Sequence, residues 1–211
     1  FIFGILAVFF AITISFIYSS SRNMIILVLG GIISSSLFSA LLSIIKYGAD
    51  TNDILPAITY WLMGSLSFST SSIVWNLTIP MLGGILILIF FSKYLNALSL
   101  GDEEAKALGI NTKLIKLIII IVATLISALS VILAGIIGWI GLIIPHITRL
   151  LFGADNKVIL PMSALIGAIF LLIVDNTSKL IFSFEIPIGI VTAIIGIPIF
   201  IFVLKNAKKG F

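Results

Sequence analysis

The fold class the sequence predicts is all-α: a polytopic transmembrane helical bundle. Three observations predict it. Of 211 residues, 61% are hydrophobic and 9% charged, against about 25% charged in a soluble domain. The apolar residues gather in runs of the ~20 needed to cross roughly 30 Å of hydrocarbon, giving a mean hydropathy of +1.35. The cations collect at alternate ends of those runs, as expected of a chain passing back and forth under the positive-inside rule.

In chain order the clear spans are 2–18, 24–45, 74–92, 115–135, 159–182 and 188–204. A seventh apolar stretch, "IIGWIGLIIPHITRLLFG" (136–153), carries Gly138, Gly141 and Pro145, so it predicts a short or broken helix, still counted as a crossing. Between Asp53 and Ser72, "DILPAITYWLMGSLSFSTSS" is apolar but short and punctuated by Pro and Ser. It predicts an interfacial or re-entrant piece, with Tyr60 and Trp61 at headgroup level. Phe1 already lies in an apolar run with no basic segment before it, so the sequence is expected to lack its natural N-terminus.

With seven crossings, Arg22, Lys93, Lys106, Lys113, Lys116, Arg149, Lys157, Lys205, Lys208 and Lys209 all fall on one side. Only Lys46 and Lys179 lie opposite, together with Asp50, Asp53 and Glu185. The cation-rich side, including the C-terminus, is therefore expected to be cytoplasmic.

One cytoplasmic segment departs from the rest. In "LSLGDEEAKALGINTKL" (98–114) Gly101 can serve as N-cap, and Asp102, Glu103 and Glu104 fill a first turn where the helix dipole favours anions. Gly109 supplies a left-handed stop, and Asn111 or Thr112 can cap the next span. The expected product is a two-turn helix exposing Ala105, Leu108 and Ile110, an apolar patch ringed by acids that suits docking of another protein. A solvated loop with incidental helicity is the plainer alternative.

Other features have mixed meanings. Gly31, Ser35, Ser39 and Ser43 recur every four residues, so one helix face is small and hydroxylic; periodicity alone favours close helix packing over passage of a polar solute. Gly189, Thr192, Ala193 and Gly196 form a similar set before Pro198, which should bend the last span. Asp175 lies inside a span with Lys179 one turn on, an i,i+4 spacing that favours a structural pair over an ion site. His146 follows Pro145 and precedes Arg149; hydrogen bonding to backbone freed by the proline is preferred to catalysis. Without cysteine and with one histidine, disulfides, thiolate metal sites and a histidine metal cluster are excluded. No G-x-x-x-x-G-K-[ST], HExxH or GxSxG occurs, which argues against ATP binding through a phosphate loop, a metalloprotease and a serine hydrolase.

Three segments together resemble the permease subunits of binding-protein-dependent ABC importers for iron–siderophore complexes, haem and vitamin B12. They are "SLGDEEAKALGIN", "GWIGLIIPHITRLLFGADNKVILPMSALIGA" and "DNTSKLIFSFEIPIGIVTAIIGIPIFIFVL". The resemblance covers essentially the whole chain. It implies a single permease domain over 1–211, corresponding to the C-terminal two-thirds of a roughly ten-span protein in a prokaryotic cell membrane. It also implies a coupling loop at 94–114, in which Gly101, Asp102, Glu103, Glu104, Ala105, Leu108 and Gly109 engage an ATPase subunit. That subunit would bind ATP and Mg; no cofactor is expected in this chain. The implied partners are the ATPase, a second permease copy, an extracytoplasmic solute-binding protein and the lipid bilayer, with no nucleic acid. Gly31, Ser35, Ser39 and Ser43 become candidates for a path between two copies, and Asp50, Asp53 and Glu185 for binding-protein contact. Pro145, His146, Arg149, Asp175 and Lys179 remain structural candidates. An ion-coupled secondary transporter is the alternative function; it would need embedded ion ligands and inverted repeats, and Asp175 is the one candidate ligand.

Overall fold

The computed structural model describes residues 2–18, 24–67, 69–180 and 185–207. Among these every regular element is helical, and the chain is an all-α transmembrane bundle. It divides into two compact units, Phe1–Thr59 and Tyr60–Phe211.

In the first unit α1 (Ile2–Tyr18) packs on α2 (Met24–Tyr47). Their close approach is set by small residues. A Cβ added to Gly30 would sit 2.6 Å from the Ala11 carbonyl oxygen, and Ser34, buried, donates its hydroxyl to Ala7 O at 2.9 Å. Such contacts replace water-driven burial where lipid is the solvent. The Gly31, Ser35, Ser39 and Ser43 face is not the one that meets α1: within this unit it is exposed, with nothing within 4 Å of a Cβ built on Gly31. A one-residue step along a helix turns about 100°, so two small-residue registers compete on α2, and α1 takes the neighbouring one. The short α3 (Ile54–Leu62) straddles the boundary between the units.

The second unit holds α4 (Ser71–Phe90), α5 (Ser92–Leu100), α6 (Asp102–Ala107), α7 (Thr112–Ala134), α8 (Ile140–Phe152), α9 (Asn156–Leu180) and α10 (Ile188–Ala207). Helix α4 packs on α7, while α9 touches α4, α5, α8 and α10. The core lies at the α9–α10 contact, where Val174, Ile188 and Val191 are buried beneath Phe170, Leu171, Ile186 and Ile195. On the other side of α9, Leu165, Ile169, Leu172 and Ile173 are exposed, a three-to-four-residue spacing that fits a face turned to lipid.

By length and composition four helices can each cross a membrane: Val28–Tyr47 within α2, then α4, α7 and α9. Ile2–Ile14, α8 and Ile188–Ile201 are apolar but shorter. The seven expected spans thus all appear as apolar helices, in two length classes. The break near the Pro145 segment falls elsewhere than the proline. Residues 135–139 are non-helical, and α8 then runs unbroken through Pro145. Its 13 residues rise about 20 Å. Helix α10 likewise continues through Pro198.

Irregular backbone among apolar helices must find its hydrogen bonds within protein. It does so where three glycines cross. Ser65 N–H donates to Ala134 O at 3.0 Å, Ile188 N–H to Gly64 O at 2.9 Å and Gly189 N–H to Met63 O at 3.0 Å. The Ser69 hydroxyl adds a bond to Leu133 O at 2.8 Å. Gly64 and Gly135 have φ of +78° and +66°, a region costly for side chains other than glycine. A Cβ on Gly135 would approach Trp61 O and reach Gly64 Cα at 3.0 Å; one on Gly189 would strike Met63 O. Downstream, Thr192 is fully buried and bonds Gly189 O at 3.0 Å, and a Cβ on Gly196 would lie 2.5 Å from Ile143 Cδ1. The small-residue set of α10 is therefore a packing face against the 63–65 turn and α8.

Candidate functional site

The acidic segment forms a separate short helix, α6, between two glycines. Gly101 occupies the N-cap with φ +129°. At the other end Gly109 N–H bonds Lys106 O at 2.8 Å and Ile110 N–H bonds Ala105 O at 3.1 Å, with Gly109 at φ +78°. This paired closure is a Schellman motif, which stops the helix and satisfies its last carbonyls. Asn111, rather than Thr112, caps α7, its side chain accepting from Leu114 N–H at 3.2 Å.

The faces of α6 are not all as expected. Ala105 was expected to be exposed; it is fully buried, because this side of α6 is turned onto α5 and α7. Ile110 is half-buried. Leu108 is 65% exposed, and Leu100 and Leu114 are exposed beside it in sequence. Glu103 and Glu104 are exposed, and Glu103 pairs with Lys106 at 2.6 Å on the helix surface. Ala105 is thus an anchor, and the outward face consists of Glu103, Glu104, Lys106, Ala107 and Leu108.

Two polar ties hold this region, and sequence reasoning found neither. The Lys116 ammonium reaches both carboxylate oxygens of Asp102, at 2.5 and 2.7 Å, joining the start of α6 to α7. The second tie joins α5 to the start of α9. Asn96 Nδ2 donates to Asp155 Oδ1 at 2.6 Å, and Asn96 Oδ1 accepts from the backbone and side-chain N–H of Asn156 at 2.9 and 2.8 Å. Asp155 Oδ1 also accepts from Lys157 N–H at 2.9 Å. These bonds, led by that from Asn96, hold the Asp155 carboxyl below its usual pKa. An Asp–Asn doublet before a helix was a legible capping signal; its partner 59 residues upstream was not.

The remaining candidates lie apart from α6. Lys179 Nζ meets Asp175 Oδ2 at 2.8 Å, while Asp175 Oδ1 is buried and has no hydrogen-bond partner among the described residues. His146 Nδ1 bonds Leu142 O at 2.7 Å, and its ring stands edge-on to Phe200 at 5.8 Å. The carbonyl that Pro145 frees is that of Gly141, so the histidine engages the next one along. Arg149 is exposed in the last turn of α8. Glu185 is half-buried and accepts from the Ser67 hydroxyl; Asp50 and Asp53 are exposed. The side chain of Lys205, and residues Arg22, Lys208 and Lys209, lie outside the described residues. Among the described residues no group of His, Asp and Glu is arranged to hold a metal ion.

Comparison with known proteins identifies the family. The chain is 41% identical over 208 residues, 99% of its length and 61% of the relative's, to the molybdate import system permease protein MolB of Haemophilus influenzae. It is 36% identical over 182 residues, 86% of its length and 48% of the relative's, to the cobalamin import system permease protein BtuC of Halobacterium salinarum. A solved structure of a metal-chelate type ABC transporter in an inward-facing conformation superposes with a TM-score of 0.87 at 39% identity, covering 94% of this chain and 63% of that one. The chain therefore spans less than two thirds of the length of each. Residues 1–206 match the FecCD transport family, and with a shared helical architecture and this identity over nearly its full length, the chain belongs to that family.

Proposed function

We propose that this chain is the transmembrane permease subunit of a binding-protein-dependent ABC importer, driven by ATP hydrolysis on a separate subunit. The observation that carries the reading is α6: a glycine-bounded helix, anchored by Ala105 and Asp102, whose outward face sets exposed Leu108 beside the Glu103–Lys106 pair and Glu104. A rigid, separately bounded element outside the apolar helices can transmit a partner's closure as a unit. In this reading α6 and the C-terminus are cytoplasmic, and the protein resides in a prokaryotic plasma membrane. The exposed Gly31, Ser35, Ser39 and Ser43 face lines the path beside a second permease copy. Asp50 and Asp53 face a solute-binding protein on the other side, with Glu185 already engaged by Ser67.

The substrate is an iron–siderophore complex, haem or a corrinoid. Its competitor is molybdate, favoured by the near-complete match to a relative named for molybdate import. The test is uptake into proteoliposomes carrying the permease, its ATPase and its solute-binding protein. Accumulation that requires ATP and the binding protein and survives a proton ionophore supports the proposal; accumulation driven by a proton gradient without ATP supports the secondary carrier. Labelled ferric chelate, cobalamin and molybdate, offered in competition, decide the cargo.

In the same assay Asp175→Asn is expected to lower the yield of folded protein, because Lys179 loses its charged partner. Uptake per folded transporter should stay ATP-driven. Loss of uptake in well-folded protein would give Asp175 a role in transport instead.

A further inference from the structure

We propose that Asn96 is a positioning residue that carries movement of the α5–α6 segment into α9, separately from the α6–α7 tie made by Asp102 and Lys116. The inference rests on α6 being the ATPase-docking element. Only Gly101 separates α5 from α6, so a displacement of α6 acts directly on α5. Asn96 then uses both ends of its amide on one target, the start of α9: Nδ2 to Asp155 at 2.6 Å, and Oδ1 from Asn156 N–H and Nδ2 at 2.9 and 2.8 Å.

Three hydrogen bonds from one side chain define a direction as well as a distance, which a single apolar contact does not. The receiving end is itself rigid, because Asp155 also caps the first turn of α9 through Lys157 N–H, and its backbone oxygen accepts from Val158 and Ile159. Helix α9 touches α4, α8 and α10 and buries Val174 and Ser178. Movement of its first turn therefore reaches the helices around the core, whereas the Asp102–Lys116 tie reaches α7.

The test compares unmodified transporter with Asn96→Ala, Asn96→Asp and the exchange Asn96→Asp/Asp155→Asn. Each is assembled with its ATPase and solute-binding protein in proteoliposomes. ATPase retention, ATP hydrolysis and substrate moved per ATP are measured together. Asn96→Ala is expected to keep the ATPase bound and hydrolysing while substrate moved per ATP falls several-fold. Asn96→Asp, which sets two carboxylates against each other, should fall at least as far. The exchange restores an amide–carboxylate pair with roles reversed, after rotation of the residue 155 side chain, and should recover much of the yield per ATP.

Wild-type yield per ATP in Asn96→Ala would overturn the proposal, as would loss of ATPase binding in that variant, which would make Asn96 part of the docking structure. A folded, ATPase-bound exchange variant that stays as uncoupled as Asn96→Asp would also overturn it. Leu108→Asp, run beside these, separates the two readings: if it leaves ATPase binding unchanged, the docking role of α6 fails and this inference with it. If it releases the ATPase while Asn96→Ala remains fully coupled, only this inference fails.

Discussion

Leu108→Asp should release the ATPase from the permease while leaving the membrane helices folded. Leu108, the C-cap of α6, is the largest apolar side chain on its outward side and is 65% exposed, so most of its surface is uncovered among the described residues. Seating a leucine side chain in a partner is worth about 2 kcal/mol, or roughly 30-fold in affinity. The substitution also adds a carboxylate beside Glu103 and Glu104, and like-charge repulsion enlarges the loss once the interface excludes water. Pull-down of the ATPase and binding-protein stimulation of hydrolysis should both collapse, with the elution profile of the permease in detergent unchanged. If stimulation persists at the wild-type level, α6 is a solvated turn and not a docking element.

Gly135→Val should have the largest effect on folding. Position 135 has φ +66°, which a β-branched residue adopts at a cost of about 1–3 kcal/mol. The added Cβ would also press on the Trp61 carbonyl and on Gly64, forcing apart the turn whose Ser65 N–H pairs with Ala134 O. Backbone groups freed among apolar helices have no water to turn to. Loss of monodisperse protein, or a large fall in thermal midpoint in detergent, is expected. Gly138→Ala is the control: its φ is not positive and nothing lies within 4 Å of the added atom, so it should behave as wild type. Equal behaviour of the two variants would show that the glycine crossing is not a structural requirement.

What could be read in advance follows from the range of the forces involved. The bounds of α6 were legible because glycine conformation, the helix dipole and asparagine capping act within a few residues. The burial of Ala105 was not, since it depends on α5 and on Lys116, 14 residues beyond Asp102. Helix α5 was illegible for a different reason. Helix α4 stops at Phe90 without glycine or proline, and Phe91 N–H still bonds Ile87 O, so only one turn residue, Phe91, separates the two helices. On α2 the 30/34 and 31/35/39/43 registers have the same chemistry and period, and only the partner helix decides between them. The crossing of Gly64, Gly135 and Gly189 joins three distant segments chiefly through backbone hydrogen bonds, whose partners lie too far apart in sequence for a local pattern to reveal. Hydropathy, by contrast, located all seven apolar helices, because lipid acts on each segment independently.

Cross-linking from α6 tests the central claim most directly. The chain contains no cysteine, so Leu108→Cys creates a single reactive thiol on the outward face, and Leu172→Cys supplies a control on the exposed apolar face of α9. With a short bifunctional reagent in membranes containing the assembled transporter, the account predicts a permease–ATPase adduct from position 108 that changes in yield when ATP is added, and none from position 172. Absence of an adduct at 108 from a complex that still couples ATP hydrolysis to uptake would contradict it.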